Sequence, residues 1–208
     1  MHGSVDLSGS APDPKRQLIV SHARKRFVSE GYAATKIEPI AREAGVSTAT
    51  LYTLFGGKAE LFAAVIDDAA EDFARQMACV RAVEGDARLT LTSFAEAYAD
   101  FMGDPFVRAV FRLVMAERPR FEAVALRFFE KGRAEFGATL IGILVRLSET
   151  GALKPVQRPS WAAGQLMGMI EHPVFFVPLV TGDEVRMRRS NAEVVADAVE
   201  TFLARHGA

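Results

Sequence analysis

The amino-acid sequence predicts an all-α protein of about nine helices, and three observations support that fold class. Apolar residues recur three and four positions apart along most of the 208 residues, which is the period of an amphipathic helix. No segment alternates apolar and polar residues over the length of a strand. Half of the residues are hydrophobic and a quarter are charged, so the chain can bury a core of ordinary size.

The first part of the chain predicts short helices that glycine residues end. Thr35 and Glu38 have the spacing of a capping box at the start of the second helix. Gly45 ends that helix, and Ser47 caps the third. The predicted helices end at residue 31, then span 36–44 and 48–55, and then 58 to about 80.

The second part predicts longer helices, with apolar stripes that continue to the end of the chain. Gly132, Gly137 and Gly142 interrupt one of them, and Pro173 and Pro178 kink or break the next. The predicted helices span 89–102, 105–117, 120–150, 160–180 and 191–205.

Charge and composition exclude several classes of protein. The formal net charge is -1, which excludes a polycation that coats nucleic acid or membrane. A single cysteine, Cys79, excludes an internal disulfide framework, and four scattered histidines give no metal-ligand spacing, so we expect no metal and no cofactor. No apolar run approaches the ~20 residues of a membrane span, and residues 1–14 lack the apolar core of a secretory signal. We therefore expect a cytoplasmic protein without a membrane partner, beginning with a flexible arm.

The charge is distributed unevenly. Between Lys15 and Lys58 there are eight basic and three acidic residues, so a basic first quarter precedes a mildly acidic body. In that quarter two short helices are joined by the tight turn 44–47, and Ile37 and Ile40 can pack against Leu51. This arrangement is typical of a helix-turn-helix whose second helix enters the DNA major groove. Spacing alone leaves a plain helical hairpin as an equal alternative.

The same segment carries a specific motif. Residues 27–35 read FVSEGYAAT, residues 40–47 read IAREAGVS, and residues 51–61 read LYTLFGGKAEL. Together they resemble the TetR family of bacterial transcriptional regulators, without a gap over residues 15 to 65. Residues 112–121 and 149–153 resemble its AefR-like subgroup more loosely. The resemblance implies a three-helix DNA-binding head at 15–60 after the arm, and a ligand-binding and dimerisation body at 61–208.

The resemblance also implies the DNA contacts. Phosphate contacts are expected from Thr35, Ser47, Tyr52 and Lys58. Base contacts are expected from Lys36, Thr48, Ala49, Thr50 and Thr53. Because residues 48–55 contain no Arg, Lys, Asn or Gln, the usual bidentate contacts to guanine and adenine are absent there. We therefore expect modest direct readout, with phosphate contacts and DNA shape supplying much of the affinity. Leu54 and Gly57 replace more polar residues of many relatives, which removes one backbone contact and weakens the next helix cap.

For the body, the family implies a homodimer through the last two helices and a pocket for an unknown small-molecule effector. The aromatic middle helices favour an apolar or aromatic ligand, although most of these side chains are expected to be plain core. The pocket candidates are Phe101, Phe111, Arg112, Met115, Phe128, Gln165, Met169, His172 and Phe176, with Glu171 as a further polar candidate. The interface candidates are Trp161, Val194, Val195, Ala198, Val199 and Phe202, unless the last stripe only closes the core of the monomer.

The function that this pattern favours is a homodimeric repressor. It would bind a near-palindromic double-stranded operator and leave it when an apolar or aromatic small molecule binds. A ligand-independent DNA-binding regulator is one alternative, and a helical small-molecule-binding protein without a DNA function is another. An enzyme is not expected, since the sequence has no nucleophile–base arrangement, no glycine-rich phosphate loop and no metal cluster.

Overall fold

The computed structural model describes residues 13–81, 83, 85–184 and 189–208. Nearly all of the predicted arm, residues 1–12, lies outside these ranges. The described residues form nine helices and no strand, which confirms the predicted all-α class. The helices are α1 Pro14–Ala34, α2 Ile37–Glu43, α3 Thr48–Phe55, α4 Lys58–Arg81, α5 Ala87–Met102, α6 Pro105–Glu117, α7 (Glu122–Gly132, the π-helical turn Arg133–Gly137 and Ala138–Glu149), α8 (Pro159–Glu171, the π-helical turn His172–Phe176 and Val177–Thr181) and α9 Asn191–His206.

The chain forms two compact units that divide between Val65 and Ile66, inside α4. The predicted boundary at residue 60 lies five positions earlier in the same helix. The apolar residues predicted to join α2 to α3 are buried in the first unit and are 0–5 % exposed: Ile37, Ile40 and Leu51.

The turn between α2 and α3 follows from its sequence. Gly45 has a φ of 67°, a conformation that costs glycine little and other residues more. The Val46 N–H donates to the Ala41 carbonyl at 2.9 Å. Ser47 caps α3 as predicted, because its Oγ accepts from the Thr50 N–H at 3.0 Å. The turn therefore fixes where the first residues of α3 lie.

The capping box predicted for Thr35 and Glu38 is wrong. α2 begins at Ile37, and its N-cap residue Lys36 makes no side-chain capping bond. Thr35 is 2 % exposed, and its Oγ1 donates to the Gly31 carbonyl at 2.7 Å. Gly31 itself leaves helical geometry, with a φ of 76°, so α1 bends there and continues to Ala34. Thr35 thus closes the end of α1 and does not open α2.

In the second unit, α9 packs mainly against α5 and α8. The predicted interruptions of α7 and α8 take the form of π-helical turns within continuous helices. Pro173 lies inside the turn of α8. A proline removes one backbone donor and crowds the preceding turn, and the wider π-helical turn accommodates both effects.

Candidate DNA-binding surface and effector cavity

The outer face of α3 carries most of the residues expected to contact DNA. Thr48, Ala49 and Thr53 are exposed together with the cap residue Ser47, and Thr50 is half-buried. The Thr53 hydroxyl donates to the Ala49 carbonyl at 2.9 Å. It therefore keeps an accepting oxygen outward, and its methyl group is free to touch an apolar surface. A helix face of small hydroxyls and methyl groups suits close approach to base edges and thymine methyl groups.

Tyr52 is the large side chain on this face. It is 48 % exposed, and its hydroxyl makes no hydrogen bond to any described residue. An aromatic ring with an outward hydroxyl can lie against the sugar–phosphate backbone and donate to a phosphate oxygen.

The cationic candidates differ from each other. Lys36 is exposed at the start of α2. Lys58 already has partners within the first unit: its Nζ donates to the Ala33 carbonyl at 3.1 Å and lies 4.7 Å from the centre of the Tyr32 ring. An ammonium group has three donors, so Lys58 keeps some for a phosphate, but it also fastens α4 to the end of α1. Thr35 is buried with its hydroxyl occupied, which removes it as a phosphate contact.

Sequence reasoning missed an ion-pair cluster in the first unit. Arg26 of α1 pairs with Glu30 and with Glu43 of α2, and His22 lies 3.7 Å from Glu43. The hydrogen bond from Arg26 lowers the pKa of Glu43 and raises that of Arg26. Ion pairs thus involve two of the three acidic residues of the basic segment, Glu30 and Glu43, and only Glu38 lies outside the cluster. Neither periodicity nor motif spacing indicates a pair 17 residues apart.

The second unit contains an aromatic cavity of about 290 Å³. Phe73 lines it and packs against three other rings of the wall, with ring-centre distances of 5.0 Å to Phe128, 5.4 Å to Phe136 and 6.2 Å to Phe111. Both π-helical turns border it, one through Arg133, Phe136 and Gly137 and the other through the adjacent Glu171. Such turns occur frequently at functional sites. The lining residues are Phe73, Tyr98, Met102, Phe111, Phe128, Phe129, Gly132, Arg133, Phe136, Gly137, Met167 and Glu171.

The polar groups of this cavity are few. The Tyr98 hydroxyl donates to Glu171 Oε2 at 3.0 Å, and its ring is held between Phe94 and Phe136. Burial raises the pKa of Tyr98 well above its ordinary value, and the nearby Glu171 adds to that shift. Tyr98 therefore stays protonated and keeps its hydrogen on the carboxylate.

Only part of the predicted pocket lines this cavity. Phe111 and Phe128 do, and Phe101 packs behind the wall at 5.4 Å from both Phe73 and Phe136. Met115 is 51 % exposed and lines a neighbouring cavity of about 380 Å³ that shares Phe111, Phe128 and Phe129.

Five further pocket candidates, four on α8 and one on α6, do not line this cavity. Met167 and Glu171 are four residues apart and share the face of α8 toward the cavity. The remaining candidates of α8 do not line this cavity, and their place in an effector pocket stays a prediction: Gln165, Met169, His172 and Phe176. Arg112 instead pairs with Asp183 at 3.0 Å.

Asp183 also receives Arg108, which is 5 % exposed and donates to it from Nε at 2.6 Å. Arg108 donates further to the Gly103 carbonyl at 2.6 Å and the Val174 carbonyl at 3.1 Å. It thus ties the end of α5 to the π-helical turn of α8. Although burial opposes the shift, hydrogen bonds from Arg108 and Arg112 lower the pKa of Asp183.

The interface candidates on α9 stay a prediction, and they lie on the face of the helix that packs within the same chain. Their side chains are 1–6 % exposed within the single chain, because α5 and α8 already cover that face. Packing within the chain therefore leaves little of each of these side chains at the surface. This applies to Val194, Val195, Ala198, Val199 and Phe202, whereas Trp161 of α8 is 67 % exposed.

Trp161 begins an exposed stripe along α8. Gly164, Gly168, His172 and Phe176 follow at intervals of three or four residues and are exposed as well. A Cβ atom added to Gly164 or Gly168 would meet nothing within 4 Å. Pro159–Thr181 is also long and apolar enough to cross a membrane by length and composition, and 33 % of its apolar window is buried. Most of this apolar stretch is therefore left uncovered by the chain itself.

Comparison with known proteins agrees with the architecture. The family model of bacterial regulatory proteins of the tetR family matches residues 19–65, and that of the AefR-like transcriptional repressor C-terminal domain matches residues 89–208. A crystal structure described as that of a TetR-family transcriptional regulator from Mesorhizobium loti superposes with a TM-score of 0.77 at 26% identity, covering 93% of this chain and 97% of that chain.

Two curated relatives are similar over a shorter stretch. The transcriptional activator FasR of Mycolicibacterium smegmatis is 32% identical over 90 residues, 43% of this chain and 41% of FasR. The regulator HbdR of Aromatoleum is 32% identical over 90 residues, 41% of this chain and 38% of HbdR. The alignments thus span about two fifths of these relatives. On the two family models, which together match most of its length, the chain belongs to the TetR family of bacterial transcriptional regulators.

Proposed function

We propose that this chain is a cytoplasmic, homodimeric repressor that binds a near-palindromic operator and releases it when an apolar or aromatic small molecule enters the cavity of the second unit. The observation that carries the DNA-binding part is the outer face of α3. It presents hydroxyl and methyl groups and a half-exposed Tyr52, without an acidic side chain to repel phosphate.

The way this face reads DNA follows from its composition. Thr48, Thr50 and Thr53 give single hydrogen bonds and methyl contacts, which discriminate bases less strongly than the bidentate contacts of Arg or Asn. Lys36 is the long donor near the start of α2. Affinity therefore depends largely on phosphate contacts and on DNA shape. A binding-site selection that returns several guanines specified by α3 would contradict this proposal.

The homodimer follows from the exposed stripe on α8. Trp161 and Phe176 are 67 % and 51 % exposed, and a large apolar patch on a protein marks a surface that a partner covers. Gly164 and Gly168 leave room for the backbone of a second helix to approach closely. A second copy of α8, related by a two-fold axis, covers this stripe with an equivalent one. Two heads then reach two half-sites of a near-palindrome.

The ligand-release step uses α4. This helix supplies Lys58 to the first unit and Phe73 to the cavity wall of the second. A ligand that moves Phe73 therefore acts on the helix that also carries Lys58. If it favours the form of the dimer that fits DNA less well, a coupling of about 1–3 kcal/mol lowers operator affinity about 5- to 150-fold.

Repression, as opposed to activation, is the family's usual mode and matches the description of the C-terminal family model. FasR is named an activator, so the direction needs its own measurement. Deleting the gene should raise transcription from the operator-bearing promoter. A fall in transcription would make this protein an activator while leaving the DNA-binding proposal intact.

The test of DNA binding is fluorescence anisotropy with duplex DNA from upstream of the protein's own gene. A scrambled duplex serves as the DNA control. The double variant Tyr52→Ala, Lys36→Ala should lose binding, whereas Lys154→Ala, an exposed lysine of the second unit, should keep it. Equal binding to native and scrambled duplexes, followed by no enriched site in a genome-wide selection, would contradict the proposal.

A further inference from the structure

The Tyr98–Glu171 pair is unusual in its surroundings. A carboxylate group reaches an aromatic cavity, where charge is costly unless it is paired or hydrogen-bonded. Tyr98 is its one hydrogen-bond donor among the described residues, and no cation lies within ion-pair distance there. A carboxylate can accept about four hydrogen bonds, so most of its capacity is unused by the described part of the chain.

The pair offers acceptors and no donor. The single hydrogen of the Tyr98 hydroxyl points to Glu171 Oε2, and the raised pKa keeps it there. Glu171 Oε1 and the lone pairs of the Tyr98 oxygen remain available to accept hydrogen bonds. Glu171 follows the same face of α8 as Met167, so its carboxylate end belongs to the cavity lining. A molecule that enters therefore meets an acceptor at this point.

The rest of the lining decides the other properties of that molecule. Phe73, Phe111, Phe128 and Phe136 present ring faces and edges that favour a flat aromatic partner. Arg133 also lines the cavity and forms no ion pair with a described residue, so the lining carries one positive and one negative group. A ligand carboxylate at Glu171 would meet a like charge in a poorly solvated site. Glu171 attracts a cationic ligand that Arg133 repels, and Arg133 attracts an anionic ligand that Glu171 repels, so the lining as a whole favours neither charge.

We infer that Glu171 and Tyr98 form the polar recognition point of the cavity, and that it selects a neutral aromatic molecule whose hydroxyl group donates a hydrogen bond to Glu171. This inference rests on the proposed role of the cavity as the effector site. The volume of about 290 Å³ lies near the lower end of small-molecule sites, which suits a compound of two or three rings.

Isothermal titration calorimetry with the full chain and no DNA tests the inference. The probes are 2-naphthol, 2-methoxynaphthalene, which lacks the donor, and 2-naphthoate, which is anionic. A hydrogen bond to a charged acceptor predicts that 2-naphthol binds about 10- to 100-fold more tightly than 2-methoxynaphthalene. In Glu171→Gln the ratio should fall to within about threefold. Glu130→Gln, the same change at an exposed residue of α7, should leave the ratio as it is.

A second variant separates recognition from a merely structural role. Tyr98→Phe removes the protein donor and leaves Glu171 in place, so the preference for 2-naphthol should persist or increase. The inference is wrong if 2-methoxynaphthalene or 2-naphthoate binds as tightly as 2-naphthol, if Glu171→Gln keeps the wild-type ratio, or if none of the three probes binds up to its solubility.

Operator release is measured separately by anisotropy. Discriminating binding without release would support the recognition point and contradict the ligand-released repressor. Release by hydroxyl-free aromatics as readily as by 2-naphthol would support the repressor and contradict the recognition point.

Discussion

At the scale of single residues, Tyr52 tests the DNA-binding surface most directly. Replacing Tyr52 by Phe keeps the ring and removes the outward hydroxyl. Each head then loses about 1 kcal/mol of hydrogen bonding, so the operator affinity of a dimer should fall about 30-fold. The dependence of affinity on salt should not change, since tyrosine carries no charge. Anisotropy titrations at two salt concentrations measure both quantities. Tyr98→Phe is the control, because it removes a tyrosine hydroxyl from the second unit and not from the DNA-binding face. Without ligand, this variant should bind DNA like wild type.

Unlike Tyr52, Lys36 carries a charge, so its replacement should change the dependence of operator affinity on salt. An exposed lysine that neutralises a phosphate contributes about 0.9 to the slope of log affinity against log salt. Lys36 is expected to contact a base, and its ammonium group also neutralises phosphate charge beside the groove, so Lys36→Gln should reduce that slope by about 2 in a dimer and weaken binding most at the base pair that Lys36 reads. The same titrations give the result. A smaller slope with affinity reduced equally for all sequences would instead make Lys36 a phosphate contact.

His206 gives the fold a pH dependence near its C-terminal end. Its ring packs 4.5 Å from the ring centre of Phe202, and burial, with Arg205 and Lys154 nearby, lowers its pKa below the ordinary value. At pH values between the lowered pKa of His206 in the folded chain and its ordinary pKa in the unfolded chain, the unfolded chain binds more protons. The free energy of unfolding must therefore decrease as the pH falls below about 6.5.

Denaturant unfolding of the wild type at pH 7 and at pH 5.5 should show this decrease. In His206→Gln the difference in unfolding free energy between the two pH values should be smaller. The comparison uses differences within each protein, so a general loss of stability in the variant does not disturb it. An equal difference in both proteins would assign the pH dependence to other groups.

At the scale of elements, the start of α4 offers a stabilising change. Gly57 precedes Lys58, and the Leu61 N–H donates to its carbonyl at 3.0 Å, so Gly57 is the N-cap. A Cβ at this position would lie 3.0 Å from Glu60 Oε2, the flexible end of the N3 side chain. Gly57→Ser should form a capping box with Glu60 and raise the free energy of unfolding by a few tenths to about 1 kcal/mol. Thermal unfolding measures the change, and Gly57→Ala should not reproduce it.

The elements show how far local sequence determines structure. Ser47 and Gly45 act within a turn or two of the chain, and the structure has the predicted cap and turn. Thr35 has the same local pattern as a capping residue but bonds backward, since both its hydroxyl and its backbone N–H donate to the Gly31 carbonyl at the break in α1. The π-helical turns depend on how α7 and α8 pack around the cavity, and no spacing in the sequence encodes them.

At the scale of the whole molecule, sequence alone cannot separate a core face from an interface face. The stripe of α9 and the stripe of α8 are both apolar with helical period, and burial by the same chain and burial by a partner select the same residue types. For the α9 stripe, packing against α5 shows that it is a core face, since Val199 is 1 % exposed. Similarly, Glu171 and Phe73 reach one cavity although 98 residues separate them. Aromatic content alone therefore predicts only some of the residues that line that cavity.

The α8 stripe leads to the prediction with the widest consequence. Gly168 is exposed, helical and free of neighbours within 4 Å, so Gly168→Leu should fold normally and even gain helix propensity. If a second copy packs on this face, two added leucine side chains meet across the two-fold axis. Overpacking costs about 1–3 kcal/mol, which should raise the dimer Kd at least about tenfold and weaken operator binding with it.

Sedimentation velocity across a range of protein concentrations measures the dimer Kd. Gly142→Leu is the matched control, because Gly142 of α7 is also an exposed helical glycine with nothing within 4 Å of an added Cβ. It should remain dimeric and bind the operator like wild type. If both variants dimerise as the wild type does, the exposed face of α8 is not the dimer interface. Two copies would then have to meet through a different surface of the chain.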